Sequence, residues 1–203
     1  MTFDPEQALR SVAAPDSPPD MGTAADAAGL LDVAYATDDF PVGRLLLAAT
    51  PGGLVRLAYL QEPAHQDAIL EALAQQVSPR ILASPRRLDE PRRELEEYFA
   101  GRRRRFEVAL DWRLVRGFGR RVLEATARIP FGAVSTYRQV AGEAGSPRAA
   151  RAAGNALGAN PLPIIVPCHR VLHSTGGLGG YTGGLERKRL LLALEGREDP
   201  GRP

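Results

Sequence analysis

The sequence predicts an α+β protein built from two unlike modules, and three observations carry that expectation. Strand-like alternation punctuated by Pro-Gly turns runs from Leu30 to Leu60. After Trp112 the apolar spacing becomes helical. The charge changes sign near the same place: residues 1–100 hold 8 Arg against 16 Asp and Glu, a balance of −8, whereas residues 101–203 hold 18 Lys and Arg against 8 acids, a balance of +10. A length of 203 residues suits one large domain or two small ones. Such asymmetry suggests an acidic module joined to one that meets a polyanion, with a solvated basic surface as the plainer reading.

Residues 1–29, rich in Ala, Asp and Pro without a sustained period, read as a flexible tail. Leu31, Val33 and Tyr35 alternate as on a half-buried strand. Pro41-Val42-Gly43 turns into a second strand, Arg44 to Thr50, and Pro51-Gly52-Gly53 into a third, Leu54 to Leu60, which makes an antiparallel meander. Ala64 to Val77 reads as a helix. Pro91 to Ala100 is another, with Leu95, Tyr98 and Phe99 on one face and Gly101 at its stop. The basic run Arg102 to Arg105 follows, and Phe106, Val108, Leu110 and Trp112 alternate along a final strand. These elements form a small α/β module over residues 30–112.

In the second module, residues 113–196, Phe118, Val122, Ala125 and Ile129 follow helical spacing up to Pro130-Phe131-Gly132. Thr136 and Gln139 form a capping box for a short helix from Tyr137 to about Ala144. Gly145 breaks it, and Ser146-Pro147 supply an N-cap and a first-turn proline for a helix reaching about Gly158. Two short helices across a glycine-containing turn have the shape of a helix-turn-helix. The second is slender, with Ala149, Ala150, Ala152, Ala153, Gly154, Ala156 and Gly158, and Arg148 and Arg151 are its large groups. Tight helix packing explains that composition, and so does approach to a nucleic-acid minor groove only ~6 Å wide. A last helix, Leu185 to Glu195, ends at Gly196, and residues 197–203 form a tail.

The single cysteine, Cys168, excludes an intramolecular disulfide, and with three histidines it excludes every Cys-rich zinc site. No apolar run approaches the ~18 residues of a membrane span. The opening Met1 to Glu6 lacks the basic start and apolar stretch of a secretory signal, so a soluble, cytoplasmic protein is expected. Of the 26 basic residues only Lys188 is lysine, a bias that genome composition would explain.

A lone cysteine is commonly inert core. Here Pro161, Pro163 and Pro167 predict an extended, rigid approach that presents the thiol, and His169 and Arg170 set two potential cations beside it, favouring thiolate. The glycine-rich loop Gly176 to Gly184 could close over a flat ligand, with Tyr181 and Thr182 as polar contacts.

The run Pro167-Cys168-His169-Arg170-Val171 resembles the active-site signature of the O6-alkylguanine-DNA alkyltransferase (methylated-DNA–protein-cysteine S-methyltransferase) family. The resemblance extends through Ile129-Pro130-Phe131-Gly132, Ser135-Thr136-Tyr137, Arg148-Ala149-Ala150-Arg151-Ala152, Asn160-Pro161, Tyr181-Thr182-Gly183-Gly184-Leu185 and Glu195-Gly196. It implies a ribonuclease-H-like N-terminal module and a winged-helix-like C-terminal domain carrying the helix-turn-helix. It also implies a monomer on double-stranded DNA, bound through the minor groove with the damaged base flipped out, because a stacked base cannot reach a recessed thiol. The activity implied is DNA repair by stoichiometric transfer of an alkyl group from O6-alkylguanine, with O4-alkylthymine as a second substrate, to the protein's own cysteine.

The same resemblance implies residue roles. Cys168 would be the nucleophile, with His169 as base through a bridging water, Glu195 orienting that histidine, and Asn160 bracing the turn between recognition helix and active-site strand. Arg151 would fill the gap left by the flipped base and Tyr137 would press on the target phosphate, with Ala150 and Arg148 on the same DNA-binding helix. Tyr181, with backbone groups near Thr182, Val171 and Gly179, would bind the guanine edges. Neither metal nor cofactor is expected. Each of these residues also has an ordinary structural reading as turn, core or surface. Two other functions stay open: an alkyltransferase-like protein that recognises lesions without transfer, and a cysteine hydrolase using Cys168 and His169.

Overall fold

Gly43 and Gly53 hold φ angles of 98° and 123°, in the left-handed region that glycine enters without steric cost, and each opens a strand in the computed structural model, which describes residues 21–197. The strands are β1 (Val33–Phe40), β2 (Gly43–Thr50) and β3 (Gly53–Tyr59). They pair as the expected antiparallel meander, with Ala34 opposite Ala49 and Leu45 opposite Tyr59. Gly53 is required for a second reason, since any side chain there would strike the carbonyl of Ala109.

Three features differ from the expectation. Within the stretch read as a tail, Met21–Ala27 is a helix, α1, whose Asp26 is ion-paired with Arg87; residues 1–20 and 198–203 lie outside the described residues. After α2 (Pro63–Gln76), a three-residue strand β4 (Ile81–Ala83) pairs parallel to β1, giving the order β3-β2-β1-β4. The alternating segment Phe106 to Trp112 does pack its apolar side chains on the core, but it does not join the sheet as a strand. The cause is Glu94 on α3 (Asp89–Phe99), only 1% exposed. Its carboxylate accepts the N–H groups of Glu107 and Val108 at 2.9 and 3.3 Å, so the segment pairs with β3 through a single isolated bridge, Leu54 with Leu110.

The second half holds α4 (Gly117–Ala127), α5 (Tyr137–Glu143), α6 (Ala150–Gly158) and α7 (Leu185–Leu194), with a two-residue parallel pair between β5 (Ser135–Thr136) and β6 (Val171–Leu172). The capping box forms as expected: Thr136 Oγ1 accepts from the Gln139 N–H at 3.2 Å and Gln139 Oε1 accepts from the Thr136 N–H at 2.8 Å. The Ser146-Pro147 start does not form. Those residues make a turn closed by the Ala149 N–H on the Ser146 carbonyl, 2.9 Å, and α6 begins at Ala150 without a side-chain cap.

One core joins the two halves. Leu45, Leu47, Leu54, Leu57, Leu95 and Tyr98 from the first pack with Val122, Leu123, Val140, Ala153, Ile164 and Leu191 from the second. Each buried leucine of that set contributes about 1.5–3 kcal/mol by transfer from water. The opposite face of the sheet, with Val33, Leu46, Ala48 and Val55, is covered by α2 through Leu73 and Ile69. At the edge of β3, the Leu57 N–H donates to the Pro161 carbonyl at 2.8 Å. Sheet and helical half are thereby stitched along one strand.

Candidate active site

Directly after α6, Asn160 is buried and fully engaged. Its Nδ2 donates to the Val166 carbonyl at 2.9 Å and to Cys168 Sγ at 3.2 Å, while its Oδ1 accepts the Leu162 N–H at 3.0 Å. The segment between is not the extended approach that its prolines predict. It folds back, with the Val166 N–H on the Leu162 carbonyl at 2.8 Å. Ile164, fully buried, sits at φ 74°. A β-branched residue in that region is strained by about 1–3 kcal/mol and persists only where its surroundings over-determine it. The Asn160 side chain is that surrounding, since it bridges both ends of the turn. Cys168 then opens a single 3-10 turn, Cys168–Arg170, and is 5% exposed.

The next residue, His169, is buried, and its Nε2 lies 2.9 Å from Glu195 Oε1. That same oxygen accepts from the Tyr98 hydroxyl and from Arg170 Nη2, both at 2.7 Å. The other carboxylate oxygen accepts from Arg170 Nε at 2.9 Å and the Gly132 N–H at 3.1 Å. Burial alone would raise the Glu195 pKa, but the hydrogen bonds from His169 and Arg170 prevail and hold it at about 2. An ionised carboxylate only accepts, so Nε2 carries the proton of this pair. Burial, outweighing the carboxylate, keeps the His169 pKa below its ordinary value, so the ring is neutral at pH 7 and Nδ1 is its basic nitrogen. Nδ1 is buried and makes no hydrogen bond among the described residues.

Burial also pushes the Cys168 thiol up to about 11, against the Asn160 amide and the charge of Lys188, which pull it down. The expectation that His169 and Arg170 act as cations on the sulfur is therefore corrected. Arg170 is spent on Glu195 and on the Ile129 carbonyl, 2.5 Å, and His169 is neutral. Cys168 and His169 make no direct hydrogen bond to each other.

Three contributors escaped the sequence reading as site residues: Tyr98, Lys188 and Tyr59. Lys188 is fully buried, and its Nζ donates to the carbonyls of Val171 at 2.7 Å, Leu178 and Gly180. Burial lowers its pKa to about 8, with Cys168 opposing. The signal was present: it is the one lysine among 26 basic residues. Tyr59 of β3 meets the Tyr181 hydroxyl at 2.7 Å.

A cavity of about 650 Å³ opens beside the sulfur, lined by Cys168, Tyr181, Thr182, Tyr137 and, along α6, by Ala150, Arg151, Gly154 and Gly158. Arg151 and Arg148 are exposed and make no hydrogen bond or ion pair among the described residues, and only Arg151 lines the cavity. Tyr137 is half-buried, its ring 5.1 Å from that of His173 and against Gly154. Gly179, at φ 68°, lies against the Tyr137 hydroxyl, where any side chain would collide. The Thr182 hydroxyl donates to the Gly158 carbonyl at 3.2 Å. Val171 and Gly179 do not line the cavity, and the Val171 carbonyl is already bonded to Lys188. Among the described residues no group of three His, Cys, Asp or Glu side chains comes together as a metal site.

Two family models match the chain. The ribonuclease-like domain of 6-O-methylguanine DNA methyltransferase matches residues 33–112, and the DNA binding domain of the same family matches residues 117–197. A methylated-DNA–protein-cysteine methyltransferase of Mycolicibacterium paratuberculosis is 39% identical over 173 residues, covering 83% of this chain and 95% of the relative. The constitutive protein of that name from Bacillus subtilis is 36% identical over 163 residues, 79% of this chain and 94% of the relative. The crystal structure of Mycobacterium tuberculosis OGT in complex with DNA superposes with a TM-score of 0.67 at 39% identity, covering 82% of this chain and 96% of that one. The architecture is thus an α+β fold with a ribonuclease-like first half and a DNA-binding second half.

Proposed function

The chain belongs to the methylated-DNA–protein-cysteine methyltransferase family, which repairs DNA by alkyl transfer to a cysteine, and from that premise we propose how its own residues divide the work. The observation that carries the reading is the pairing of two constellations behind one cavity wall: Asn160 on the sulfur of Cys168, which lines the cavity, and Glu195 on the imidazole of the next residue. Cys168 Sγ attacks the alkyl carbon on guanine O6; the C–S bond forms as the C–O bond breaks, and guanine leaves carrying one proton. The thiol proton passes through a water to Nδ1 of His169, whose other nitrogen is held as donor by Glu195, and the departing guanine takes up that one proton equivalent through water, which leaves the imidazole neutral again. The transfer stops after one event, because a thioether is not readily hydrolysed. The same attack on O4-alkylthymine needs only that the smaller base fit.

Access to a buried thiol requires the base to leave the duplex. The slender, exposed side of α6 suits the minor groove, Arg151 and Arg148 are free to meet phosphates or fill the vacated stack, and Tyr137 stands at the cavity. Tyr181 and Thr182 contact the extruded base. Residues 30–112 act as the supporting module and 113–196 as the binding and transfer module. One chain supplies the whole site, which supports action as a monomer. An unpaired thiol nucleophile favours a reducing, cytoplasmic setting, and no helix among the described residues is long and apolar enough to cross a membrane.

The test is a titration of an oligonucleotide carrying O6-methylguanine against known amounts of protein, with mass spectrometry of the peptide containing Cys168. One methyl group per chain, on Cys168, is the expected result, with Cys168→Ala binding DNA but transferring nothing. Repair well beyond one equivalent, or the methyl group on another residue, would overturn the assignment.

A further inference from the structure

A second cavity, of about 450 Å³, lies between β3, α2 and the seam with the helical half. Its size falls within the ~300–1,000 Å³ typical of small-molecule sites. Its lining is mixed: Ala58, Ile69, Ala72, Leu73 and Pro163 form an apolar wall, Gln61, His65 and Gln76 add polar groups, and no acidic side chain lines it.

One polar group in it is anomalous. The pairing of β2 with β3 shifts register at Ala48 and Ala49, which face Arg56 and Leu54, so the strand carries an extra residue there. Leu54 and Leu57 both belong to the shared core, and the two residues between them are set outside it: Val55 packs against α2 and Arg56 lines the cavity. A bulge re-aims a side chain in just this way. Arg56 makes no hydrogen bond or ion pair among the described residues, and its Nε is buried. Burial lowers its pKa, yet no carboxylate stands near to compensate. A partly buried guanidinium with no counter-charge is unfavourable, and the bulge sets this one in the wall of a cavity.

We propose that this cavity binds a small organic anion, an apolar body bearing one carboxylate or phosphate, with Arg56 as its counter-charge. The planar guanidinium fork suits either head group, and the alanine-lined wall of α2 takes the apolar body. The site is separate from the alkyl-transfer cavity but touches its machinery, since Asn160 and Thr182 line both this cavity and the elements around Cys168.

The experiment uses the full chain and three probes: benzoate, phenyl phosphate and inorganic phosphate. Thermal unfolding and the Nε–H resonance of Arg56 are followed up to about 20 mM probe. Benzoate or phenyl phosphate at tenfold excess over Kd should raise the midpoint by about 3–5 °C and shift the Arg56 resonance. The midpoint rise should vanish in Arg56→Met, and both responses should persist in Arg93→Ala, an exposed arginine on α3. Ala72→Phe, which fills the cavity while leaving Arg56 in place, should abolish them too. Inorganic phosphate should bind more weakly, having no apolar body. No response to either organic probe, responses that survive both cavity variants, or equal binding of bare phosphate would each overturn the proposal.

Discussion

The side-chain amide of Asn160 donates at once to the sulfur of Cys168, 3.2 Å, and to the carbonyl of Val166, 2.9 Å, so one group both braces the active-site turn and faces the nucleophile. Asn160→Ala removes both donors and leaves the Leu162 N–H without its acceptor. A stability loss of about 1–3 kcal/mol follows from the unmade bonds. The thiol, no longer favoured as thiolate by that amide, titrates higher still, so transfer at pH 7 slows by ~10-fold or more. Single-turnover rates from pH 6 to 10 check this. The profile should move to higher pH, whereas an unmoved profile with a lowered melting point would assign Asn160 to folding alone.

Glu195 predicts an acid limb. Its carboxyl is held at about 2 in the folded chain against an ordinary 4.5, so its contribution is present in full above pH 4.5 and is lost as pH falls toward 2. Glu195→Gln should destabilise the protein by about 3–5 kcal/mol at pH 7, because it leaves the Arg170 guanidinium buried without its charge partner. The same variant should flatten the loss of stability between pH 4.5 and 2. Urea unfolding across pH 2–7 measures both effects.

Lys188→Met should loosen the loop that carries Tyr181, since three carbonyls lose their common donor. The expected cost is about 1–3 kcal/mol, with slower reaction toward free O6-benzylguanine as well as toward DNA. Hydrogen exchange of residues 171–181 reads the loosening directly. Protection equal to that of the unaltered chain would remove Lys188 from this role.

Arg151→Ala should separate the two substrates. Repair of duplex DNA should fall by at least ~10-fold, while reaction with free O6-benzylguanine stays within about twofold, because only the duplex requires extrusion, worth a few kcal/mol. Equal loss on both would make Arg151 part of the pocket.

The elements legible in the sequence are those whose causes are local. Gly43 and Gly53 announce their turns, and Thr136 and Gln139 their capping box, because the partners lie within a few residues. Phe106 to Trp112 does not form a strand because the N–H groups of Glu107 and Val108 go to Glu94, a carboxylate 13 and 14 positions earlier whose burial nothing local announces. Three-residue β4 carries too short a pattern to register. Around the site, Cys168, His169, Asn160 and Glu195 stood out through an ordered series of motifs. Tyr98 and Tyr59 did not, since their partners lie 97 and 122 positions away and nothing in their own neighbourhoods marks them.

The Tyr98 hydroxyl on Glu195 bears on how such a chain can be inherited. Residues 33–112 and 117–197 match separate family models, which invites the view of a transfer cassette riding on an exchangeable scaffold. The first segment nevertheless supplies a donor to the Glu195 carboxylate, a phenol to Tyr181 and a backbone bond to Pro161. A recombinant that replaced it would have to restore all three at once, along with the matching half of a common core. The boundary between the segments divides an alignment and not a working part, and the two are transmissible only together.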